Sequence, residues 1–167
     1  NSSVYGGWFA LNGNGEMTGV VWIEECGELQ TPITITNTHS CGVTRDATIR
    51  WLVSRGVGTG QDWGLPVAAE TYDGDLNDIN GFHVTAEHTI AALDNARSGP
   101  VELGSVGGGT GMITYDFKAG NGSSSRLVEI AGETYRLGVF VQSNFGRRED
   151  LTILGVPVGR EIGHDKL

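Results

Sequence analysis

Asn144 closes an apolar run, Val139 to Ser143, and leads into Phe145-Gly146-Arg147-Arg148-Glu149. A side-chain amide at a strand end can donate hydrogen bonds into a cleft, which is what a developing oxyanion requires in acyl transfer. The same residue type also serves as a plain turn former. Glu70-Thr71-Tyr72-Asp73 ends another apolar run and enters Gly74. A carboxylate there suits a substrate ammonium, and a tyrosine hydroxyl suits the positioning of reacting groups. The alternative is an ordinary solvated strand terminus.

What such groups lack is a nucleophile. Serines are plentiful, but none sits in a GxSxG elbow or an SxxK pattern, and Ser123-Ser124-Ser125 after Gly122 reads as a loop. His83 and His88 are five apart with no HExxH and no Cys/His ligand set, so they read as surface or structural residues and no metal is expected. The stretch Gly104-Ser105-Val106-Gly107-Gly108-Gly109-Thr110-Gly111 lacks the GK[ST] of a phosphate loop and is followed by a strand pattern instead of a helix. It reads as a tight, backbone-rich loop, either structural or lining a pocket. Cys26 and Cys41 are too widely spaced for a CxxC pair and are either buried free thiols or one disulfide.

The elements that must position these groups are short and strand-rich. Strands are expected at Gly19 to Glu25, Pro32 to Thr36, Leu65 to Thr71, Met112 to Phe117 and Leu151 to Leu154. A hairpin is expected from Arg126 to Ile130 and Thr134 to Ser143, turning around Ala131-Gly132-Glu133. Thr44 to Ser54 reads as a helix capped by Thr44 with Asp46 in its first turn; Thr85 to Ala96 is a second, with Thr85 as N-cap. Strands with interspersed helices suit an α/β (α+β) fold in which helices cover sheets. Nothing resembling a linker divides the chain, so 1–167 is read as one domain or part of one.

Bulk composition narrows the classes further. The chain has 167 residues, 38% hydrophobic and 19% charged, which excludes a disordered segment. A net charge of −9, with no basic cluster beyond Arg147-Arg148, argues against nucleic-acid binding. No apolar run reaches the ~18 residues of a membrane helix, and the N-terminus lacks a signal-peptide layout. The 27 glycines are about twice the usual share, without a repeat period, and mark tight turns or close backbone approach.

Several longer stretches resemble one family. They are Asn12-Gly13-Asn14-Gly15-Glu16-Met17-Thr18-Gly19, Ile35-Thr36-Asn37-Thr38-His39-Ser40, Glu70-Thr71-Tyr72-Asp73-Gly74 and Leu76-Asn77-Asp78-Ile79-Asn80-Gly81-Phe82-His83. Val106 to Met112, Val141 to Glu149 and Gly155-Val156-Pro157-Val158-Gly159-Arg160 complete the set, in order from about Gly7 to Ile162. The family is the L-aminopeptidase/D-amidase-esterase group, which includes the β-peptidyl aminopeptidases.

That resemblance implies a four-layer α/β/β/α sandwich of the N-terminal-nucleophile type. It implies a precursor that cleaves itself at a Gly–Ser bond, so that the new N-terminal serine of a companion β-subunit becomes the nucleophile and its own α-amine the base. Asn144 matches the family's oxyanion-hole asparagine, Tyr72 a tyrosine that orients the nucleophile, and Glu70 a glutamate that receives the substrate's free amino group. Substrates would be short peptides, amides or esters with free amino termini; L-, D- and β-amino types are not separated by sequence. The resemblance brings no cofactor, and implies a homo-oligomer, a tetramer of αβ units. Compartment stays open between cytoplasm and periplasm. The family's amino-terminal strands and its catalytic serine are not matched within these residues, so this segment is expected to act only with its serine-bearing partner. Two other readings stand beside this one: a non-catalytic binding scaffold, and acyl transfer as in the ornithine acetyltransferases of similar fold.

Overall fold

Two parallel strands organise the first part of the chain. In the computed structural model β3 (Ile33–Asn37) pairs with β4 (Val67–Thr71), Ile33 opposite Val67 and Asn37 opposite Thr71. Parallel strands require a crossover, and it runs through α2 (Cys41–Ser54). The helix buries Cys41, Thr44, Ala47, Thr48 and Leu52, a spacing that keeps them on one face. Inside that face the Thr48 hydroxyl donates to the Thr44 carbonyl at 2.8 Å, so a buried polar group is satisfied within its own helix. Val67, Ala68 and Ala69 are all buried, the continuous apolar run expected of a strand covered on both faces.

The description covers residues 3–56 and 63–162. The glycine cluster beyond Gly56 and the 163–167 end fall outside it. The chain divides into two compact units, Asn1–Gly74 with Asp78–Ser98, and Asp75–Asn77 with Gly99–Leu167. No described helix is long and apolar enough to cross a membrane.

Around the parallel pair the first unit adds β1 (Val4–Tyr5) against β2 (Glu28–Leu29), antiparallel, and two further helices. One of these corrects the sequence expectation. Gly19 to Glu25 is not a strand but α1 (Val20–Cys26), with left-handed glycines at both ends, Gly19 at φ 76° and Gly27 at φ 69°. Val20 and Ile23 are buried one turn apart while Val21 is exposed. A place to bury that stripe outweighs the strand preference of β-branched residues, which is a weak prior.

A second correction concerns the start of α2. Thr44 is not its cap, because the chain passes from β3 through one 3₁₀ turn, Thr38–Ser40, straight into the helix at Cys41. Thr44 therefore lies inside the buried face, and Asp46 sits beyond the first turn, paired with Arg50 at 2.7 Å on the surface. By contrast α3 (Ala86–Asp94) starts as expected at Thr85, whose backbone N–H donates to Nδ1 of His88 at 3.1 Å. Histidine here takes the place of the usual Glu or Gln of a capping box. The Trp51 indole N–H donates to Asp94 at 2.6 Å, and Arg55 pairs with the same carboxylate. The indole bond above all holds the Asp94 carboxyl below its ordinary range, against desolvation and with help from Arg55.

The second unit is built from hairpins. β7 (Asn121–Ile130) and β8 (Glu133–Gln142) pair antiparallel over their whole length, from Asn121 opposite Gln142 to Ile130 opposite Glu133. Ala131 and Gly132 turn the chain at φ 52° and 85°, the double positive-φ geometry whose twist matches a two-residue hairpin. Glu133 is already paired, so the turn is one residue shorter than expected. Met112 to Phe117 is likewise a tight hairpin instead of one strand. Its strands are β5 (Ile113–Thr114) and β6 (Phe117–Lys118), turned by Tyr115 and Asp116 at φ 53° and 59°. Leu151 to Leu154 contributes only an isolated bridge, Ile153 to Val156, around Leu154-Gly155. The glycine run Gly107–Gly111 is a 3₁₀ turn leading into β5, and α4 (Val158–Glu161) ends the described chain. Met112, 1% exposed, is the largest fully buried side chain among the described residues.

Candidate functional site

The carboxyl end of a parallel strand pair is where open α/β sheets place ligands, because the strands' connections diverge there and leave a crevice. In the first unit that end carries Asn37 of β3 with Thr38 directly after it, and Glu70 and Thr71 of β4 with Tyr72 and Asp73 directly after them. Register decides the grouping. Thr36 lies opposite Glu70 and Asn37 opposite Thr71, so the residues that continue the two strands emerge side by side.

Glu70 is half-buried, and each of its oxygens is engaged. Thr38 donates its hydroxyl to Oε2 at 2.6 Å, and the backbone N–H of Glu16 donates to Oε1 at 3.1 Å. The loop that delivers this second donor is shaped by Asn12, whose Oδ1 accepts from the Asn14 N–H at 2.9 Å. It passes close enough that a Cβ on Gly15 would lie 3.0 Å from Glu70 Oε1. Both donors are neutral, and among the described residues no cation pairs with Glu70. A carboxylate so held keeps its charge uncompensated and retains lone pairs for a third donor, which an ammonium group can supply.

Asp73 is buried and accepts from Asn37 Nδ2 at 3.3 Å. Tyr72 is 49% exposed, with its ring against Gly74; a Cβ on that glycine would lie 2.5 Å from Tyr72 Oη. Behind the strand end sits Cys41, 1% exposed, its Sγ 3.8 Å from the Ala68 carbonyl. Burial first, then the charges of Glu16 and Glu70, push its thiol up to about 11 from 9.0. Cys41 and the half-buried Cys26 are both free thiols. The disulfide alternative is thus not observed, and Cys26 is only partly covered.

Of the residues singled out from sequence, Glu70 and Tyr72 are two apart at one strand end of the first unit, and Asn144 belongs to the second. Asn144 follows β8 and is held between two local bonds to the β5–β6 hairpin. Ser143 Oγ lies 2.7 Å from Thr114 Oγ1, and the Tyr115 N–H donates to the Phe145 carbonyl at 2.9 Å. Its own Nδ2 reaches the Ile113 carbonyl at 3.4 Å, beyond the usual range for a strong N–H···O bond. Its neighbours' bonds hold Asn144 beside that hairpin, and a side-chain amide is a donor of the kind an oxyanion requires.

The sequence reading did not single out Thr38 and Glu16 as site residues. Both lie in stretches that carry the family resemblance, but they are 32 and 54 positions from Glu70 and nothing local ties them to it. His83 pairs with Asp78 at 3.1 Å and His88 serves the α3 cap. Among the described residues no cluster of three metal-ligating side chains occurs.

The model of peptidase family S58 matches residues 1–167. The chain is 55% identical over 159 residues to the beta-peptidyl aminopeptidase BapA of Sphingosinicella microcystinivorans, covering 95% of this chain and 40% of that protein. The BapA of Sphingosinicella xenopeptidilytica is 45% identical over 161 residues, again 95% of this chain and 40% of the relative. Among solved structures, the L-aminopeptidase D-Ala-esterase/amidase of Ochrobactrum anthropi superposes with a TM-score of 0.92 at 53% identity, covering 97% of this chain and 46% of that one. It is described as a prototype of the serine aminopeptidases and a variant of the Ntn hydrolase fold. The chain thus spans less than half the length of each of these relatives, and at this identity it shares their α/β fold class.

Proposed function

The chain belongs to peptidase family S58, and from that premise we propose that the protein containing it is a serine aminopeptidase that removes N-terminal residues from short peptides, amides or esters. The nucleophile is the N-terminal serine of a companion β-subunit, released by self-cleavage at a Gly–Ser bond. Its α-amine takes the hydroxyl proton as Oγ attacks the scissile carbonyl, giving a tetrahedral intermediate. The C–N or C–O bond then breaks, the proton passes to the leaving group, and water hydrolyses the acyl-enzyme. Asn144 donates to the oxyanion, Tyr72 orients the nucleophile, and Glu70 accepts the substrate's free ammonium. The working assembly is a tetramer of αβ units, and the substrate's amino group, free at its terminus, restricts the enzyme to exopeptidase action.

The observation that carries this reading is the state of Glu70. It is a half-buried carboxylate with two neutral donors and, among the described residues, no cation, at the carboxyl end of parallel strands. A carboxylate with neutral donors keeps lone pairs for a charged one, and a substrate ammonium is the counter-charge an aminopeptidase receives at each turnover.

Intact mass spectrometry of the denatured full-length protein, with N-terminal sequencing of each species, tests the assembly. Two chains are expected, the second starting with serine. Steady-state hydrolysis of an aminoacyl p-nitroanilide then tests Asn144: Asn144→Ala is expected to lower kcat by about 10²–10³ with KM little changed. A single chain that leaves every free-amino substrate intact would sink the proposal.

A further inference from the structure

Thr38 lies outside the catalytic set just described, and its contact with Glu70 assigns it a part. The hydroxyl donates to Glu70 Oε2 at 2.6 Å, while the opposite oxygen is held at 3.1 Å by the Glu16 N–H. The two donors come from different elements, the 3₁₀ turn after β3 and the loop before α1, and they grip one carboxylate from two sides. A glutamate side chain has three rotatable bonds and loses rotamer freedom when ordered. A carboxylate already fixed does not incur that cost when a substrate binds.

The loop side of the grip is sterically tight. A Cβ at Gly15 would come within 3.0 Å of Oε1, a separation closer than ordinary carbon–oxygen contact, so the absence of a side chain at 15 is part of the same arrangement. The backbone of Gly15 is not in the left-handed region. An alanine there is therefore a test of space and not of conformation.

We propose that Thr38, together with the Gly15–Glu16 loop, is a positioning clamp that presents the Glu70 carboxylate to the substrate's ammonium and so sets the affinity for amino-terminal substrates. This rests on the aminopeptidase reading above. Thr38 touches neither the scissile bond nor the nucleophile in this scheme; it acts through Glu70. Its loss raises KM and leaves kcat nearly unchanged, the signature of an interaction made equally in the ground and transition states.

The experiment compares Thr38→Val, Thr38→Ser, Glu70→Gln and Thr38→Val/Glu70→Gln in the full-length processed enzyme with an aminoacyl p-nitroanilide. Thr38→Val keeps the shape and removes the donor to a charged group, and is expected to raise KM about tenfold. Thr38→Ser, which keeps the donor, returns KM to within about twofold of wild type. In the Glu70→Gln background Thr38→Val adds less than about twofold, because the carboxylate it served is gone. Gly15→Ala is expected to raise KM a few-fold by displacing Oε1, and stands in if Thr38→Val does not fold. An unchanged KM in both Thr38→Val and Gly15→Ala overturns the clamp, as does an equal effect of Thr38→Val with and without Glu70. A wild-type enzyme that cleaves no amino-terminal substrate overturns the aminopeptidase reading itself, a result distinct from an active wild type indifferent to Thr38.

Discussion

The parallel pair β3–β4 and the long hairpin β7–β8 are built on opposite terms. Each strand of the hairpin has ten residues, twice the length of β3 or β4, yet none of its twenty residues is buried. The five-residue strands of the parallel pair include Thr36, Val67, Ala68 and Ala69, all buried, with Ala68 at 0% exposure. The hairpin is held by its own ladder, a local turn and, at its open end, bonds from Asn121 to Gly104 and Val106. The parallel pair is held by α2 and by contacts from residues 12–20. What the difference teaches is where chemistry can be built. Within this chain a group on the hairpin is oriented mainly by the ladder of its two strands, and a group at the end of the packed pair has donors arriving from several elements, as Glu70 does.

Two glycines, one in each region, give the strongest test of that contrast. Gly19 sits at φ 76°, and a Cβ there would lie 2.5 Å from the Leu65 carbonyl oxygen and 3.0 Å from that of Pro66. Gly132 sits at a similar φ, 85°, with nothing within 4 Å of where its Cβ would be. Gly132→Ala therefore meets backbone strain alone, about 1–2 kcal/mol. Gly19→Ala adds a collision with backbone that cannot swing aside, for a total of about 3 kcal/mol or more. Urea unfolding of both variants in the full-length protein checks this. Equal losses would mean that the segment joining Gly19 to β4 is as yielding as an open turn.

A smaller effect sharpens the same contrast through pH. The Cys41 thiol, buried behind β4, has its pKa pushed up to about 11, whereas an unfolded thiol ionises near 9.0. Between those values the native state keeps a proton that the unfolded state has released. Stability from this group is thus fully present below pH 9 and is lost as pH climbs toward 11. The pH dependence of iodoacetamide alkylation should show Cys41 gaining reactivity only near pH 11. Half-maximal reactivity at pH 9 would mean that the packing around β4 opens readily.

The smallest expected change lies in the hairpin turn. Ala131 holds φ 52°, a region that asparagine tolerates better than alanine, and Asn-Gly is the favoured pair for this turn. Ala131→Asn is expected to raise stability by a few tenths of a kcal/mol and to slow amide exchange at Ile130 and Glu133, whose pairing closes the hairpin. A loss of protection there would show that the turn does not set the register.

The hairpin was legible in the sequence because its signals are local. Apolar and β-branched residues in β8 flank a Gly-containing turn, and the antiparallel register follows from the turn outward. Its first half escaped notice, since Asn121-Gly122-Ser123-Ser124-Ser125 has no strand pattern and is extended by its partner across the ladder. The helix α3 was legible for the same reason, with Thr85 as a cap adjacent to the residues it serves. Val20–Cys26 was misread because its composition favours a strand and the stripe of Val20 and Ile23 has meaning only once a core exists to receive it.

By itself, then, the sequence determined the α/β class, the family through its motifs, and the candidates Glu70, Tyr72 and Asn144. These are carried by residue types and short spacings, which do not depend on how distant segments meet. Only the tertiary structure decided that Thr38 and the Glu16 N–H hold Glu70, that Cys41 lies buried behind it, and that residues 20–26 are helical. The grouping of Thr38 with Glu70 depends on the parallel register of β3 and β4. A crossover connection sets that register by packing, and no turn adjacent in sequence announces it.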